Sequence, residues 1–433
     1  MSRARQVDVL IVGAGPAGLA AAARLAAARV PRVEVLDRES QAGGVPRHCA
    51  HGGYGTWRHP LTGPEYARLL VTAAEGAGAV VRTGVTALDW AGPLSLHTVG
   101  PGGPETIEAR AVVLATGARE RPRSARLVPG TRPAGVLTTG ELQQAVHLYG
   151  QRIGERAVVV GAEDVSYGAA ATVRAAGAVV VAMVTDLPRP QTTVARAADA
   201  RLRQGIPLLT DTTVTELLGH GRLSGVRVRH HDGRTAVLAC DTVVFTGDFV
   251  PEHELARRGG LALDTGTRGP VVDGSLHTSR PGVFAVGSVL HAVESAATAA
   301  REGAHAAGAV LEALAGAEPP DGVALLVEPP LRWIAPNRVT PADRDLPYVL
   351  RTTVPLGRSL LHVTQDGRTL HRQALLRALP NRTITLAAGW THRVDAAGGP
   401  VAVRITRQIT FSRTSAPSVS APGTSGTQTV MIR

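Results

Sequence analysis

Three glycines near the N-terminus have the spacing of a phosphate-binding turn. The segment GAGPAG, Gly13 to Gly18, directly follows a short apolar run from Val7 to Val12. In such a turn Gly13 permits the sharp bend, Gly15 lets the backbone approach a pyrophosphate, and Gly18 allows a following helix to pack closely on the strand. The pattern predicts a strand, a turn and a helix that together bind a dinucleotide.

The elements after the turn complete this unit. A run of small residues from Ala17 to Ala28 predicts the helix, and Val33 to Leu36 predicts a second strand. The N-terminus of a helix favours negative charge. Asp37 ends the second strand, where a carboxylate accepts hydrogen bonds from ribose hydroxyls. The order strand, helix, strand and acid is more specific than the glycines alone.

The same order of elements begins again at Arg156, but its glycine turn is altered. Gly161 keeps the first glycine, whereas Glu163 and Ser166 stand where the second and third are expected. A side chain at Glu163 obstructs the approach of the backbone to a pyrophosphate and adds negative charge beside it. Two interpretations stay open: a second site for NAD(P), which these replacements disfavour, and a scaffold that no longer binds NAD(P).

The segment GGVPRHCAHGGYG, from Gly43 to Gly55, holds the densest group of reactive side chains. His48 and His51 are candidates for a general base because imidazole titrates near neutral pH. Cys49 is a candidate for a covalent or sulfenic-acid intermediate, although a spectator thiol is the simpler interpretation. The only other cysteine is Cys240, so the chain has no CxxC pair for dithiol chemistry and no cysteine cluster for a metal.

Four further segments carry a family resemblance. They are Gly43 and Gly44 after the second strand, the ATG of residues 115–117, the inserted second unit, and RPGVFAVGS from Arg280 to Ser288. In order and spacing, residues 5 to 315 resemble the flavoproteins with two dinucleotide-binding domains, which include the pyridine nucleotide-disulfide oxidoreductases. Within that superfamily the chain is more similar to the FAD subunits of opine dehydrogenase, hydrogen cyanide synthase and sarcosine oxidase than to the disulfide reductases.

This resemblance implies FAD at the first site. One departure is Ser288, where the family usually has an aspartate for the ribityl chain of the flavin, and a hydroxyl can still make that hydrogen bond. Arg47 and His48 would contact the cofactor. The residues expected to bind FAD are Gly13, Gly15, Pro16, Ala17, Gly18, Asp37, Arg38, Gly44, Arg47, Ala115, Thr116, Gly117, Gly287 and Ser288.

A predicted helix from about Ala292 to Leu314 follows the segment Arg280 to Ser288, called the closing segment below. His291 and Glu294 lie near its start, where the resemblance lets their side chains reach the flavin. The alternative for Glu294 is a first-turn acid that the helix dipole favours.

Composition excludes some function classes. The net charge is +11, but the arginines are dispersed among apolar and acidic residues, so we predict no nucleic-acid site. No apolar run reaches membrane-spanning length without a charge, and we expect a cytoplasmic protein.

The predicted fold is α/β, with two Rossmann-like domains, the second inserted in the first, and a small all-β domain for which a sandwich is the candidate architecture. The expected bounds are 1–122 with 268–318, then 150–255, then 325–410, with a disordered tail over 411–433. The β domain carries PNR at residues 336–338 and 380–382. We interpret both copies as loop geometry rather than a site.

The leading functional hypothesis is an oxidoreductase that transfers a hydride from a small amine or hydroxy acid to N5 of FAD and is reoxidised by a partner, a quinone or oxygen. A positioned histidine would accept the substrate's proton. The alternatives are an NAD(P)H-dependent flavoprotein reductase and a flavin-binding assembly subunit with little activity of its own.

Overall fold

A computed structural model of the chain describes residues 3–292, 294–343 and 346–407. The segment 411–433, predicted to be disordered, lies outside the described residues. In the described part of the chain, no helix is long and apolar enough to span a membrane.

The first domain is built on a five-stranded parallel sheet. Four of its strands are buried and mostly aliphatic, as expected for a parallel sheet covered on both faces, and the edge strand Val80–Thr83 is more exposed. In spatial order they are Val283–Ala285, Ala111–Leu114, Val9–Val12, Val33–Asp37 and Val80–Thr83. A smaller sheet beside it contains Arg3–Gln6, Gly103–Glu108, Ser95–Gly100 and Thr86–Gly92.

Two long helices of this domain pack tightly on each other. Helices Pro16–Ala27 and Ala296–Leu314 approach so closely that a Cβ on Gly303 would collide with the carbonyl oxygen of Ala17. The remaining elements of this domain are helices Gly63–Gly76, Glu254–Arg258 and Ser288–His291, 3-10 turns Val45–His48 and Arg123–Arg126, and the hairpin strands Gly52–Gly55 and Pro60–Thr62. The small residues predicted for the first helix therefore serve helix packing.

The second domain repeats the parallel design. Its strands in spatial order are Val136–Thr138, Thr242–Phe245, Arg156–Val160, Val179–Val184 and Leu208–Leu209. Its helices are Thr139–Gln143, which continues as a π-helical turn over Gln144–Leu148, then Asp164–Ala175 and Val194–Leu202. An antiparallel sheet of Thr212–His220, Arg222–His230 and Thr235–Ala239 covers one side. Strands Ala118–Glu120 and Phe249–Pro251 pair where the chain enters and leaves this domain.

The C-terminal part contains two sheets that share one apolar core. The larger sheet has strands Arg338–Val339, Val323–Val327, Val401–Arg407, Ser359–Gln365 and Arg368–Leu375, and the smaller has Leu331–Ala335, Tyr348–Thr352 and Ile384–Leu386. A 3-10 turn spans Thr391–Arg393. Tyr348 and Trp390 are fully buried in the apolar core that the two sheets share. Two Rossmann-like units and an all-β unit are present, so the predicted fold class is confirmed.

One predicted helix boundary was wrong. The sequence predicted a helix from Ala292, but Ala292 has a φ of +65° and ends the four-residue helix Ser288–His291. The long helix begins at Ala296, with the Ser295 hydroxyl accepting from the Thr298 N–H as its cap. His291 and Glu294 therefore lie before the long helix, and Glu294 is not a first-turn acid.

Candidate functional site

A cleft of about 1680 Å³ lies where the three domains meet. The first glycine turn and the segment 44–55 form one wall, and the start of helix Asp164–Ala175 contributes from the second domain. From the C-terminal domain the lining residues are Leu346, Pro347, Val349, Arg351, Asn381, Arg382, Thr383 and Thr385. Of the residues predicted to bind FAD, all line this cleft except Gly18 and Gly287.

The first glycine turn has the geometry that a nucleotide phosphate needs. Gly13 has a φ of +111°, and a Cβ there would collide with the carbonyl oxygen of Ala115. A Cβ on Gly18 would collide with the carbonyl oxygen of Gly13, so both positions serve packing. A Cβ on Gly15, in contrast, would have no protein atom within 4 Å. Open space at the helix N-terminus is where a pyrophosphate would approach, and these residues fit FAD.

Asp37 lies at the end of its strand, as predicted. One carboxylate oxygen accepts the Ala14 N–H at 2.8 Å and the other accepts the Glu39 N–H at 2.9 Å. Burial raises the pKa of Asp37, and these two hydrogen bonds oppose that effect. Its neighbour Arg38 is exposed and lies 3.7 Å from the Glu252 carboxylate.

A buried glutamate holds the end of the closing segment in place. Gly287 has a φ of +77° and donates its N–H to Glu302 at 2.9 Å. The other oxygen of Glu302 lies 2.8 Å from Nε2 of His291. Burial alone would lower the pKa of His291, but the Glu302 carboxylate, aided by Glu294, outweighs it and raises the pKa. His291 is buried beneath the cleft rather than lining it.

The second glycine turn is filled by its own glutamate. Glu163 precedes helix Asp164–Ala175, and its carboxylate accepts the Ala162 N–H at 3.3 Å and the Thr246 hydroxyl at 3.5 Å. A Cβ on Gly247 would collide with this carboxylate. Burial raises the pKa of Glu163. The side chain thus folds back into the turn, where a bound phosphate would otherwise place its charge.

Two residues that the sequence did not single out support this arrangement. Arg126 donates to the carbonyl oxygens of Thr246 and Gly247 at 3.1 and 2.6 Å. Glu120 accepts the N–H of Gly247 at 3.2 Å and that of Gly140 at 2.9 Å. Both side chains bind backbone groups around the turn, and neither residue belongs to a recognisable local motif.

His48 and Cys49 are both buried at the cleft wall. Burial, with the nearby charges of Arg47 and His147, lowers the pKa of His48 to about 4, so the ring is neutral at neutral pH. The Cys49 thiol donates to Gln143 at 3.2 Å, and burial raises its pKa. A protonated, buried thiol is a poor nucleophile. This environment favours the spectator interpretation of Cys49.

His51 differs from these two residues. It is half-buried and lines the cleft beside Gly168 of the second domain. Its Nδ1 lies 2.8 Å from the carbonyl oxygen of Gly52, which only accepts, so Nδ1 carries the hydrogen. In the neutral ring Nε2 carries the lone pair, and among the described residues none hydrogen-bonds to it.

The C-terminal domain contributes a polar group that the sequence interpretation missed. Arg351 donates to Glu294 at 2.7 Å, and both side chains are buried. The Thr383 hydroxyl lies 2.9 and 2.8 Å from the two oxygens of the same carboxylate. Asn381 and Arg382, from the second PNR, line the cleft. The interpretation of this PNR as loop geometry did not anticipate that domain docking brings it to the wall of the cleft.

The first PNR is structural. The Asn337 side chain accepts the Val272 N–H at 3.3 Å and donates to the Ile334 carbonyl at 2.8 Å. These bonds fix the junction between the first domain and the β domain. The two copies therefore have different roles despite their identical sequence.

Residues 7–303 match the family described as pyridine nucleotide-disulphide oxidoreductase. The chain belongs to this family. Its members are flavoprotein oxidoreductases that use FAD, some of them with NAD(P) as substrate. The predicted resemblance is confirmed.

Two relatives are oxidase subunits. The alpha subunit of sarcosine oxidase from Corynebacterium sp. (strain P-1) is 33% identical over 297 residues, which cover 62% of this chain and 29% of that protein. An opine oxidase subunit from Rhizobium meliloti is 31% identical over 314 residues, which cover 65% of this chain and 58% of that protein. The chain thus spans less than two thirds of either relative.

Thioredoxin reductase from T. acidophilum is similar in structure, with a TM-score of 0.60 and 26% identity over 71% of this chain and 98% of that chain. The present chain nevertheless has only two cysteines, 191 positions apart.

Proposed function

We propose that this chain is an FAD-dependent oxidoreductase that takes a hydride from a small amine or hydroxy acid. The observation that carries the proposal is the contrast between the two glycine turns. The first has open space at Gly15, whereas the second is filled by the Glu163 carboxylate. One dinucleotide fits and the second is disfavoured, so a small substrate rather than NAD(P)H supplies the hydride.

The proposed FAD would be held by the first turn, by Asp37 and Arg38 at its ribose, and by Ser288 near its ribityl chain. When bound, FAD supplies the hydride acceptor. The helix Ala296–Leu314 directs its N-terminus at the cleft, because Ser295 to Thr298 line it. The positive end of its dipole favours an anionic group there.

His51 is the side chain best suited to accept the substrate's proton. Its Nδ1 hydrogen is committed to the Gly52 carbonyl, so the Nε2 lone pair is available in the cleft. His48 is less suitable because its lowered pKa makes it a weak base. Cys49 needs no role in this scheme.

Anaerobic reduction tests the proposal. The purified protein should show a flavin absorption spectrum, which a panel of amines and hydroxy acids bleaches and which NADH and NADPH leave unchanged. Rapid bleaching by NADH or NADPH would instead support a reductase, as in the relative named ferredoxin–NADP reductase from Salinispora tropica, which is 30% identical. A protein that cannot be reconstituted with FAD contradicts the whole proposal.

A second candidate is a flavin-binding subunit of a larger oxidase. Two relatives are named as subunits, and the hairpin 52–62 presents Trp57 with 86% of its surface exposed. In this case the substrate would reduce the purified chain slowly, and turnover would need a second polypeptide. Full turnover by the chain alone with an artificial electron acceptor would rule out this candidate.

A further inference from the structure

The side of the cleft formed by the C-terminal domain is held in place by a buried ion pair. Arg351, on strand Tyr348–Thr352, donates to Glu294 at 2.7 Å, and the Thr383 hydroxyl bonds to the same carboxylate. Glu294 directly precedes the cap of helix Ala296–Leu314. The turn that carries Asn381 and Arg382 is therefore fixed relative to the helix N-terminus that lines the cleft.

Arg382 has a different environment from Arg351. Its side chain is exposed to the cleft, and in the part of the chain that the structure describes no acceptor lies within hydrogen-bonding distance of its guanidinium. Burial lowers the pKa of Arg351, and the Glu294 carboxylate opposes this effect. The positive charge of Arg382 also lowers the pKa of Arg351, because the two guanidinium groups lie near each other. Arg382 therefore presents its guanidinium to the cleft, whereas Glu294 is held by Arg351 and Thr383.

We propose that Arg382, with the Asn381 amide beside it, binds a carboxylate of the substrate. The substrate class would then be amino acids or hydroxy acids, and not neutral amines or alcohols. A guanidinium pairs with a carboxylate through two parallel hydrogen bonds, and Arg is better suited to this than Lys. The inference rests on the proposed function, since it assigns one end of the same substrate.

The charges favour a carboxylate over a phosphate. Glu294 is paired with Arg351 and accepts the Thr383 hydroxyl, so its repulsion of an incoming anion is reduced. The two parallel N–H groups of one guanidinium match one carboxylate, whereas a dianionic phosphate would need further donors. The helix N-terminus adds a weaker attraction in the same direction.

Ligand binding tests this assignment without turnover. Propionate and benzoate are probes that carry the carboxylate, and propionamide and benzamide are their neutral controls. Binding is followed by the shift of flavin absorbance in the FAD-loaded protein and by saturation-transfer NMR in the apoprotein. The carboxylates should bind and the amides should not.

Arg382→Gln should weaken carboxylate binding by about tenfold to a hundredfold, as expected for the loss of a charge-assisted pair. Arg382→Lys should restore part of it. Arg377→Gln is the matched control, because Arg377 is exposed on the same domain but does not line the cleft. It should bind like the native protein.

Three results would overturn the inference: equal carboxylate binding by Arg382→Gln and the native protein, equal binding of the amides, or tighter binding of inorganic phosphate than of propionate. Failure of the proposed function is seen separately, as a protein that does not hold FAD or is bleached by NADH.

Discussion

Nε2 of His291 lies 2.8 Å from a carboxylate oxygen of Glu302, and both side chains are buried under the closing segment. The second oxygen of Glu302 accepts the N–H of Gly287. This pair therefore connects the long helix that borders the cleft to the turn that carries Ser288. The charge state of the His291–Glu302 pair therefore affects the stability of the structure beneath the cleft.

The His291 pair predicts a pH-dependent stability. Because the pKa of His291 is raised in the folded state, its stabilising effect is fully present below the usual histidine pKa of about 6.5 and is lost as the pH rises through the raised value. His291→Gln keeps a donor to Glu302 but cannot titrate. The melting temperature of His291→Gln should fall furthest below that of the native protein at acidic pH, and the difference should shrink as the pH rises. His97→Gln, at an exposed site, is the control, and a pH-independent loss would contradict this account.

Glu163 predicts the effect of removing a buried charge. Burial raises the pKa of Glu163, so the ionised carboxylate is disfavoured in the folded state at pH 8. Glu163→Gln keeps the hydrogen-bonding shape without the charge and should raise the melting temperature at pH 8. The gain should disappear as the pH falls to about 4.3, the ordinary pKa of glutamate. Glu155→Gln is an exposed control, and a lower melting temperature at pH 8 would mean that Arg126 outweighs the burial cost.

Substitutions of two glycines in the first turn should have different effects on the stability of the apoprotein. Gly13→Ala forces a side chain into a left-handed backbone region against the Ala115 carbonyl and should cost about 1–3 kcal/mol of unfolding free energy in the apoprotein. Gly15 has a φ of −82° and open space, so Gly15→Ala should stay within about 0.5 kcal/mol of the native apoprotein. FAD titration should nevertheless show weaker binding for Gly15→Ala. Unchanged FAD affinity would place the cofactor elsewhere.

His51 predicts a loss of catalytic rate. If its Nε2 accepts the substrate's proton, His51→Gln should lower the rate of flavin reduction by about 10²–10⁴-fold and leave the flavin spectrum intact. Stopped-flow absorbance measures this rate. His59→Gln is the matched control, because His59 is exposed on the hairpin that directly follows His51 and does not line the cleft. A native rate in His51→Gln would assign proton transfer to another group.

The sequence predicted the elements that depend on local patterns. The glycines at 13, 15 and 18 and the acid at Asp37 have fixed spacing because one strand, turn and helix impose it. The break before the long helix was missed, since alanine favours helix and nothing local shows that Ala292 takes a positive φ.

The C-terminal side of the cleft was also missed, for a different reason. Glu294 and Thr383 are 89 positions apart, and the contact between them depends on how two domains dock. The alternation of apolar and polar residues along a strand predicts which side chains face the core. It does not predict that a polar turn contacts another domain. The role of Glu163 was partly visible, because its replacement of a glycine is local, whereas its partners Arg126 and Glu120 are not.

The ion pair between Arg351 and Glu294 joins residues that the ribosome makes at different times. A ribosome makes the glycine turn at residues 13–18 first and the residues that complete its cleft, up to Thr385, among the last described ones. A nascent chain that has emerged only through residue 318 has the strands of the first sheet and both packed helices, but Glu294 has neither Arg351 nor Thr383 to bind. The proposed FAD side of the cleft can thus assemble before the proposed substrate side, whose residues up to Thr385 are made later.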